Sequence, residues 1–164
     1  MDHRIGFAEI VSKTPTRSKE NKPRSVSVLG STGSIGCNTI SILESQPKQF
    51  QVVALTARSN VKLLVEQALR LKPRMVAVSE KTLYKDLKQE LSGSGVKVGA
   101  GVDAVVEAAQ LSADWVMAGI VGTAGLLPTL SAVRNGSIVA LANKECLVSA
   151  GDLLTKKVEE YEAK

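Results

Sequence analysis

Ser25-Val26-Ser27-Val28-Leu29-Gly30-Ser31-Thr32-Gly33-Ser34-Ile35-Gly36 is the stretch whose reading decides the fold. Its first six residues alternate small polar and apolar side chains, the period of a strand. Three glycines at a spacing of three then turn the chain, and residues 34–45 read as a helix. Working outward, Phe50–Ala57 is a continuous apolar run, as in a strand buried on both faces. Asn60 can cap a helix whose Val61, Leu64, Val65, Ala68 and Leu69 follow the i, i+3, i+4, i+7, i+8 pattern. Pro73 closes that unit, and Arg74–Val78 is a third strand. Lys81–Leu91 reads as a helix, Gly93 and Gly95 as a turn, and Val96–Val98 as a short strand. Val102, Val105, Val106 and Ala109 mark another helical face. Asp114–Ile120 is then a strand, Leu126–Arg134 a helix and Ile138–Ala142 a strand. Asn143 caps a last helix reaching the end of the sequence, with Leu147, Leu154 and Val158 on one side. Repeated strand–helix units with short connections predict an α/β protein: a doubly wound, Rossmann-like, mostly parallel sheet with helices on both faces.

The 164 residues suit one domain with a real core. Hydrophobic residues make up 44% and aromatics 3%, which excludes a wholly disordered chain and argues against a base-stacking nucleic-acid platform. The formal net charge is +5, and residues 1–24 hold six Lys/Arg against three Asp/Glu. These residues are expected to form a flexible basic tail, with residues 25–164 as the domain. The tail's Arg and hydroxyl residues resemble an organelle transit peptide, but Asp2, Glu9 and Glu20 oppose that reading. A cytoplasmic location is expected, with a plastid-type organelle as the alternative. Cys37 and Cys146 make no disulfide framework, and the one histidine, His3, lies in the tail. Residues 115–133 carry no charge, yet Gly119, Gly122, Gly125 and Pro128 suit a strand, a turn and a helix start rather than a membrane span.

A glycine-rich turn between a first strand and a first helix is where a dinucleotide diphosphate meets free N–H groups and the positive end of a helix dipole. Gly30 permits the turn, Gly33 lets the diphosphate approach, and Gly36 lets the helix pack on the strand. Thr32 and Ser34 add hydroxyl donors. The motif is G-x-x-G-x-x-G, and no Lys follows it, which excludes a nucleoside-triphosphatase loop. The bland reading of such a motif is a tight turn without a ligand. At the end of the second strand, where an acid would hold the ribose hydroxyls of NAD, stand Arg58, Ser59 and Asn60. Arg58 and Ser59 can instead hold a 2′-phosphate, which favours NADPH; the alternative for Arg58 is a solvated loop arginine.

With G-S-T-G-S-I-G-C at 30–37, V-V-A-L-T-A at 52–57, A-G-I-V-G-T-A-G-L-L-P-T-L at 118–130 and L-A-N-K-E at 141–145, the chain resembles the 1-deoxy-D-xylulose 5-phosphate reductoisomerase family from residue 25 to about 160. The resemblance implies an NADPH-dependent oxidoreductase of non-mevalonate isoprenoid synthesis. It would convert 1-deoxy-D-xylulose 5-phosphate to 2-C-methyl-D-erythritol 4-phosphate with Mg²⁺ or Mn²⁺, as a homodimer without nucleic-acid or membrane partners. It places Thr32, Gly33, Ser34 and Ile35 at the cofactor phosphates and Arg58, Ser59 and Asn60 around the adenosine ribose phosphate. The family often has Gly-Lys-Asn at that second place. Gly119 and Ile120 would lie on the nicotinamide side, Asn143 and Glu145 would contact NADPH, and Lys144 would contact the sugar phosphate.

The family runs to roughly 400 residues, a size typical of several domains. Its acidic D-S-E motif for the metal follows the A-N-K-E helix, and this sequence ends at Tyr161-Glu162-Ala163-Lys164 without one. The expectation is an NADPH-binding N-terminal domain, present as a fragment, with no catalytic or metal-binding residues of its own and inactive alone. The alternative is a non-catalytic nucleotide-binding fragment. A semialdehyde-dehydrogenase-like enzyme with Cys146 as nucleophile is a distant third, because nothing supplies a base. Cys37, Cys146, Trp115 and Met117 read as core.

Overall fold

Alternation in the opening stretch becomes strand β1, Arg24–Leu29, whose last four residues are buried. The computed structural model describes residues 22–164; the tail and His3 lie almost wholly outside them. In chain order there follow α1 (Ser34–Ser45), β2 (Phe50–Ala57), α2 (Val61–Leu71) and β3 (Met75–Val78). Then come α3 (Tyr84–Glu90), β4 (Lys97–Ala100), α4 (Val102–Gln110), β5 (Trp115–Ala118), α5 (Leu126–Val133), β6 (Ile138–Leu141) and α6 (Lys144–Glu160). Single 3₁₀ turns at Lys81–Leu83 and Thr123–Gly125 lead into α3 and α5, so the helix read at 81–91 is in fact two pieces.

All pairings between strands are parallel, and the sheet order is β4-β3-β2-β1-β5-β6. The chain therefore builds outward from β1 to β4 on one side, then returns to lay β5 on the other side of β1. The doubly wound reading is right. The uncharged stretch 115–133 breaks into β5, a turn and α5, and no described helix is long and apolar enough to cross a membrane.

The two faces of the sheet pack differently. On one face Val26, Val28, Val52 and Leu55 meet Ile40 and Leu43 of α1, Leu64 and Ala68 of α2, and Leu87 of α3. On the other, Ala54, Met75 and Ala77 meet Val105 and Ala108 of α4, while Leu29 and Val116 meet Ala109 and Ala132. Leu29, Leu55, Leu64 and Leu87 are fully buried, each contributing roughly 1.5–3 kcal/mol relative to an exposed position. A register shift opposite Val26/Ser27 allows consecutive Val53 and Ala54 to serve the same face.

Three departures from the sequence reading have physical causes. Leu69, expected on the buried stripe of α2, is 52% exposed, and Gln67 is buried in that stripe instead. Leu147 is 54% exposed because α6 breaks its helical geometry at Ala150 (φ −149°, ψ 29°), which turns its first half away from the stripe of Leu154 and Val158. Trp115 is not core: it lies at the rim, beneath the Arg24 guanidinium (5.3 Å) and beside Phe50 (6.4 Å). Past α6, the Lys164 N–H donates to Ser137 O and the Val139 N–H to Lys164 O, against the outer edge of β6.

Candidate functional site: the carboxyl edge of four neighbouring strands

The residues singled out by the sequence follow the carboxyl ends of β1, β2, β5 and β6, four neighbours in the sheet. Between β1 and β5 the strand order reverses, and open α/β sheets bind ligands in the crevice outside such a switch point.

The loop after β1 forms one wall. Gly30 takes a left-handed φ of +82°, and a Cβ there would come within 2.9 Å of Gly119 O, so the two loops flanking the crevice touch. A Cβ on Gly36 would fall 2.2 Å from Gly30 O, which ties the first turn of α1 to the end of β1. Gly33 differs. Its φ is −78°, open to any residue, and a Cβ would meet only Gly30 O at an ordinary 3.5 Å. The protein atoms themselves therefore do not require glycine at this position.

No side chain among the described residues caps α1. The Gly33 N–H donates to Gly30 O and the Cys37 N–H to Gly33 O, whereas Thr32, Ser34 and Ile35 donate to no acceptor among the described residues. Those donors, with the helix dipole behind them, make a seat for an anion. From below, the Gly30 N–H donates to Thr56 Oγ1 (2.9 Å) and the Ser31 N–H to Thr56 O (2.7 Å).

After β2, Arg58, Ser59 and Asn60 are all exposed. The Arg58 side chain is 88% exposed, and its contact with Glu80 is a loose 3.7 Å. An exposed pair of this kind contributes little and leaves the guanidinium available to another anion. Asn60 Oδ1 accepts from the Leu63 N–H, so its side chain caps α2.

Asn143 holds the far side. It is 2% exposed, and its Nδ2 donates to Ile120 O (2.6 Å) and Gly122 O (2.9 Å). Its Oδ1 accepts from the N–H groups of Glu145 and Cys146, capping α6. The amide thus fastens the 119–122 loop to the head of α6. Gly125 makes room for it, since a Cβ there would lie 2.6 Å from Nδ2. Lys144 is exposed and Glu145 half-buried beside it. Burial pushes the Cys146 thiol above its ordinary pKa, the direction opposite to that of a nucleophile.

For a divalent cation the fit is poor: no three His, Cys, Asp or Glu side chains converge among the described residues. Glu145 and Asp152 are separated by the break at Ala150 rather than stacked on one straight helix.

Two residues of the site escaped the sequence reading. Thr56 is the one polar residue within V-V-A-L-T-A, directly before the strand's end. Gln67 lies three residues beyond Leu64 and four before Leu71, on the buried stripe of α2. A polar residue at apolar spacing was the available signal in both cases.

The sequence matches the family model for 1-deoxy-D-xylulose 5-phosphate reductoisomerase over residues 26–151. It is 54% identical over 155 residues to the reductoisomerase of Rhodospirillum centenum, covering 94% of this chain and 39% of that protein. It is 51% identical to that of Zymomonas mobilis, covering 86% and 36%. Among solved structures, the Zymomonas mobilis reductoisomerase in complex with NADPH superposes with a TM-score of 0.86 at 50% identity, over 87% of this chain and 38% of that one. A reductoisomerase in complex with NADPH, fosmidomycin and magnesium gives 0.82 at 35% identity, over 86% and 35%. The chain thus spans a little over a third of the length of these relatives.

Proposed function

The chain belongs to the 1-deoxy-D-xylulose 5-phosphate reductoisomerase family, and from that premise we propose that residues 25–164 are its NADPH-binding domain, preceded by a basic segment at 1–24. The observation that carries this reading is the set of N–H groups at Thr32, Ser34 and Ile35 that find no acceptor among the described residues, at the switch point and beside an open Gly33. There the loop holds the cofactor diphosphate. Arg58 and Ser59 take the 2′-phosphate, Arg58 by exchanging its weak contact with Glu80 for a doubly charged partner. Gly119 and Ile120 bound the nicotinamide side, and Asn143 acts through the loop and helix that its amide joins. Glu145 completes the cofactor contacts, and Lys144 presents an ammonium to the phosphate of 1-deoxy-D-xylulose 5-phosphate. Bound NADPH supplies a hydride; the protein's part is to hold and orient it.

The whole protein, in this reading, is the homodimeric, cytoplasmic enzyme that forms 2-C-methyl-D-erythritol 4-phosphate with Mg²⁺ or Mn²⁺. The residues described here do not fit the metal, and no step is derived through it.

Isothermal titration of the chain with each cofactor tests the reading. NADPH is expected to bind at least tenfold tighter than NADH. Equal affinities, or tighter NADH, overturn the assignment of Arg58 and Ser59.

A further inference from the structure

Gln67 is 1% exposed, on the stripe of α2 that otherwise buries Leu64, Val65 and Ala68. An amide there loses its hydration, and an apolar side chain of the same length would fill the space without that cost. Among the described residues its one hydrogen bond runs from Nε2 to Ser31 O, at 3.0 Å and wholly buried, while its Oε1 has no partner there. The acceptor belongs to the glycine loop, 36 residues away in sequence. The same carbonyl also faces the Cys37 thiol at 3.7 Å.

Ser31 C=O and Thr32 N–H belong to one peptide unit, and no peptide among the described residues is cis. In a trans unit the two groups point in opposite directions. A donor that draws the Ser31 carbonyl inward therefore aims the Thr32 N–H outward, and polarises it as the next link in a hydrogen-bond chain. Thr32 is one of the donors with no acceptor among the described residues. Thr56 fixes the preceding peptide unit through the Ser31 N–H. Ser31 is thus gripped on both sides, by β2 and by α2, and neither grip touches the ligand side of the loop.

We infer that Gln67 is a positioning residue for diphosphate binding, setting the Thr32 peptide in its binding orientation before the cofactor arrives. This rests on the cofactor reading above. Its test is the Gln67→Met variant, which keeps length and removes the donor, titrated with NADPH and with adenosine 2′-monophosphate, which lacks the diphosphate. NADPH affinity is expected to fall about tenfold while that of the monophosphate is unchanged and the melting midpoint stays within a few degrees. Unchanged NADPH affinity, or parallel weakening of both ligands as a general loosening would give, overturns the inference. A parent chain that binds neither ligand overturns the cofactor reading and this inference with it. A second measurement needs no variant: in the parent, saturating NADPH is expected to shift the Thr32 amide proton downfield, and a Thr32 amide unmoved by bound NADPH overturns the proposal.

Discussion

The two ends of the sheet use the same kinds of group to opposite effect. At the amino end Asp114 and Ser25, 89 residues apart, tie β5 to β1 by closing on each other. The Ser25 N–H and Oγ both donate to Asp114 Oδ2, and the Asp114 N–H donates back to Ser25 Oγ. Arg24 covers Trp115, and a groove of about 430 Å³ carries only two charges, Glu44 and Arg70, which pair at 2.7 Å. At the carboxyl end the loops are held as firmly, by Thr56, Gln67 and Asn143, but from beneath. Donors remain over on the outer side. Both ends are tied by hydrogen bonds; at the carboxyl end the N–H groups of Thr32, Ser34 and Ile35 have no acceptor among the described residues, and there the proposed cofactor would sit.

That contrast can be broken by substitution. Gly36→Ala puts a methyl group 2.2 Å from Gly30 O, so α1 must shift from β1. The expected cost is about 3 kcal/mol of stability, together with loss of NADPH binding, read by thermal unfolding and titration. Gly33→Val separates the two effects. Its φ of −78° suits a β-branched residue, so the variant is expected to melt within a few degrees of the parent, yet bind NADPH at least tenfold more weakly. Normal binding by a folded Gly33→Val chain would mean that the diphosphate does not lie on this loop. Asp114→Asn, at the opposite end, is expected to leave NADPH affinity unchanged and to cost at most ~1 kcal/mol, as for an exposed contact. The hydrogen bonds from Ser25 hold the Asp114 carboxyl below its ordinary range. A lowered folded-state pKa means that the stabilisation is present above the unfolded value and fades as the pH falls through the folded one. The difference in stability between parent and Asp114→Asn should therefore be full at neutral pH and close below about pH 4.

Much of this contrast could be read in the sequence, but not evenly. Strands and helices followed from local signals: alternation at Ser25–Leu29, the apolar run at 50–57, and the caps Asn60 and Asn143, both of which accept from the first turns of their helices. The roles of Gly30 and Gly36 followed from their spacing. What periodicity could not carry were features that depend on a distant partner. Gln67 stands at apolar spacing on α2, but only Ser31 beneath it gives its amide a role, and the expected stripe runs through Leu69 instead. The break at Ala150 falls beside Gly151, but a lone glycine inside a helical pattern is tolerated and does not announce a break. The resemblance places Asn143 at NADPH, and the residue alone reads as a helix cap; neither reading shows that its amide also reaches Ile120 and Gly122 and so joins that loop to the head of α6.

The reversal of strand order also carries a consequence in time. Val26 pairs with Val52 on one side and with Trp115 on the other, so the two edges of β1 acquire their partners at very different moments of synthesis. At ~5–20 residues per second, the edge that faces β5 stays open for on the order of 10 s after β1 has emerged. Through that interval β1 presents unpaired backbone groups to any other extended segment, the hazard that edge strands pose. Closing it demands a long-range contact, the kind that slows folding most. The crevice between the β1 and β5 loops does not exist until then, which makes the candidate site among the last parts of the sheet to be built.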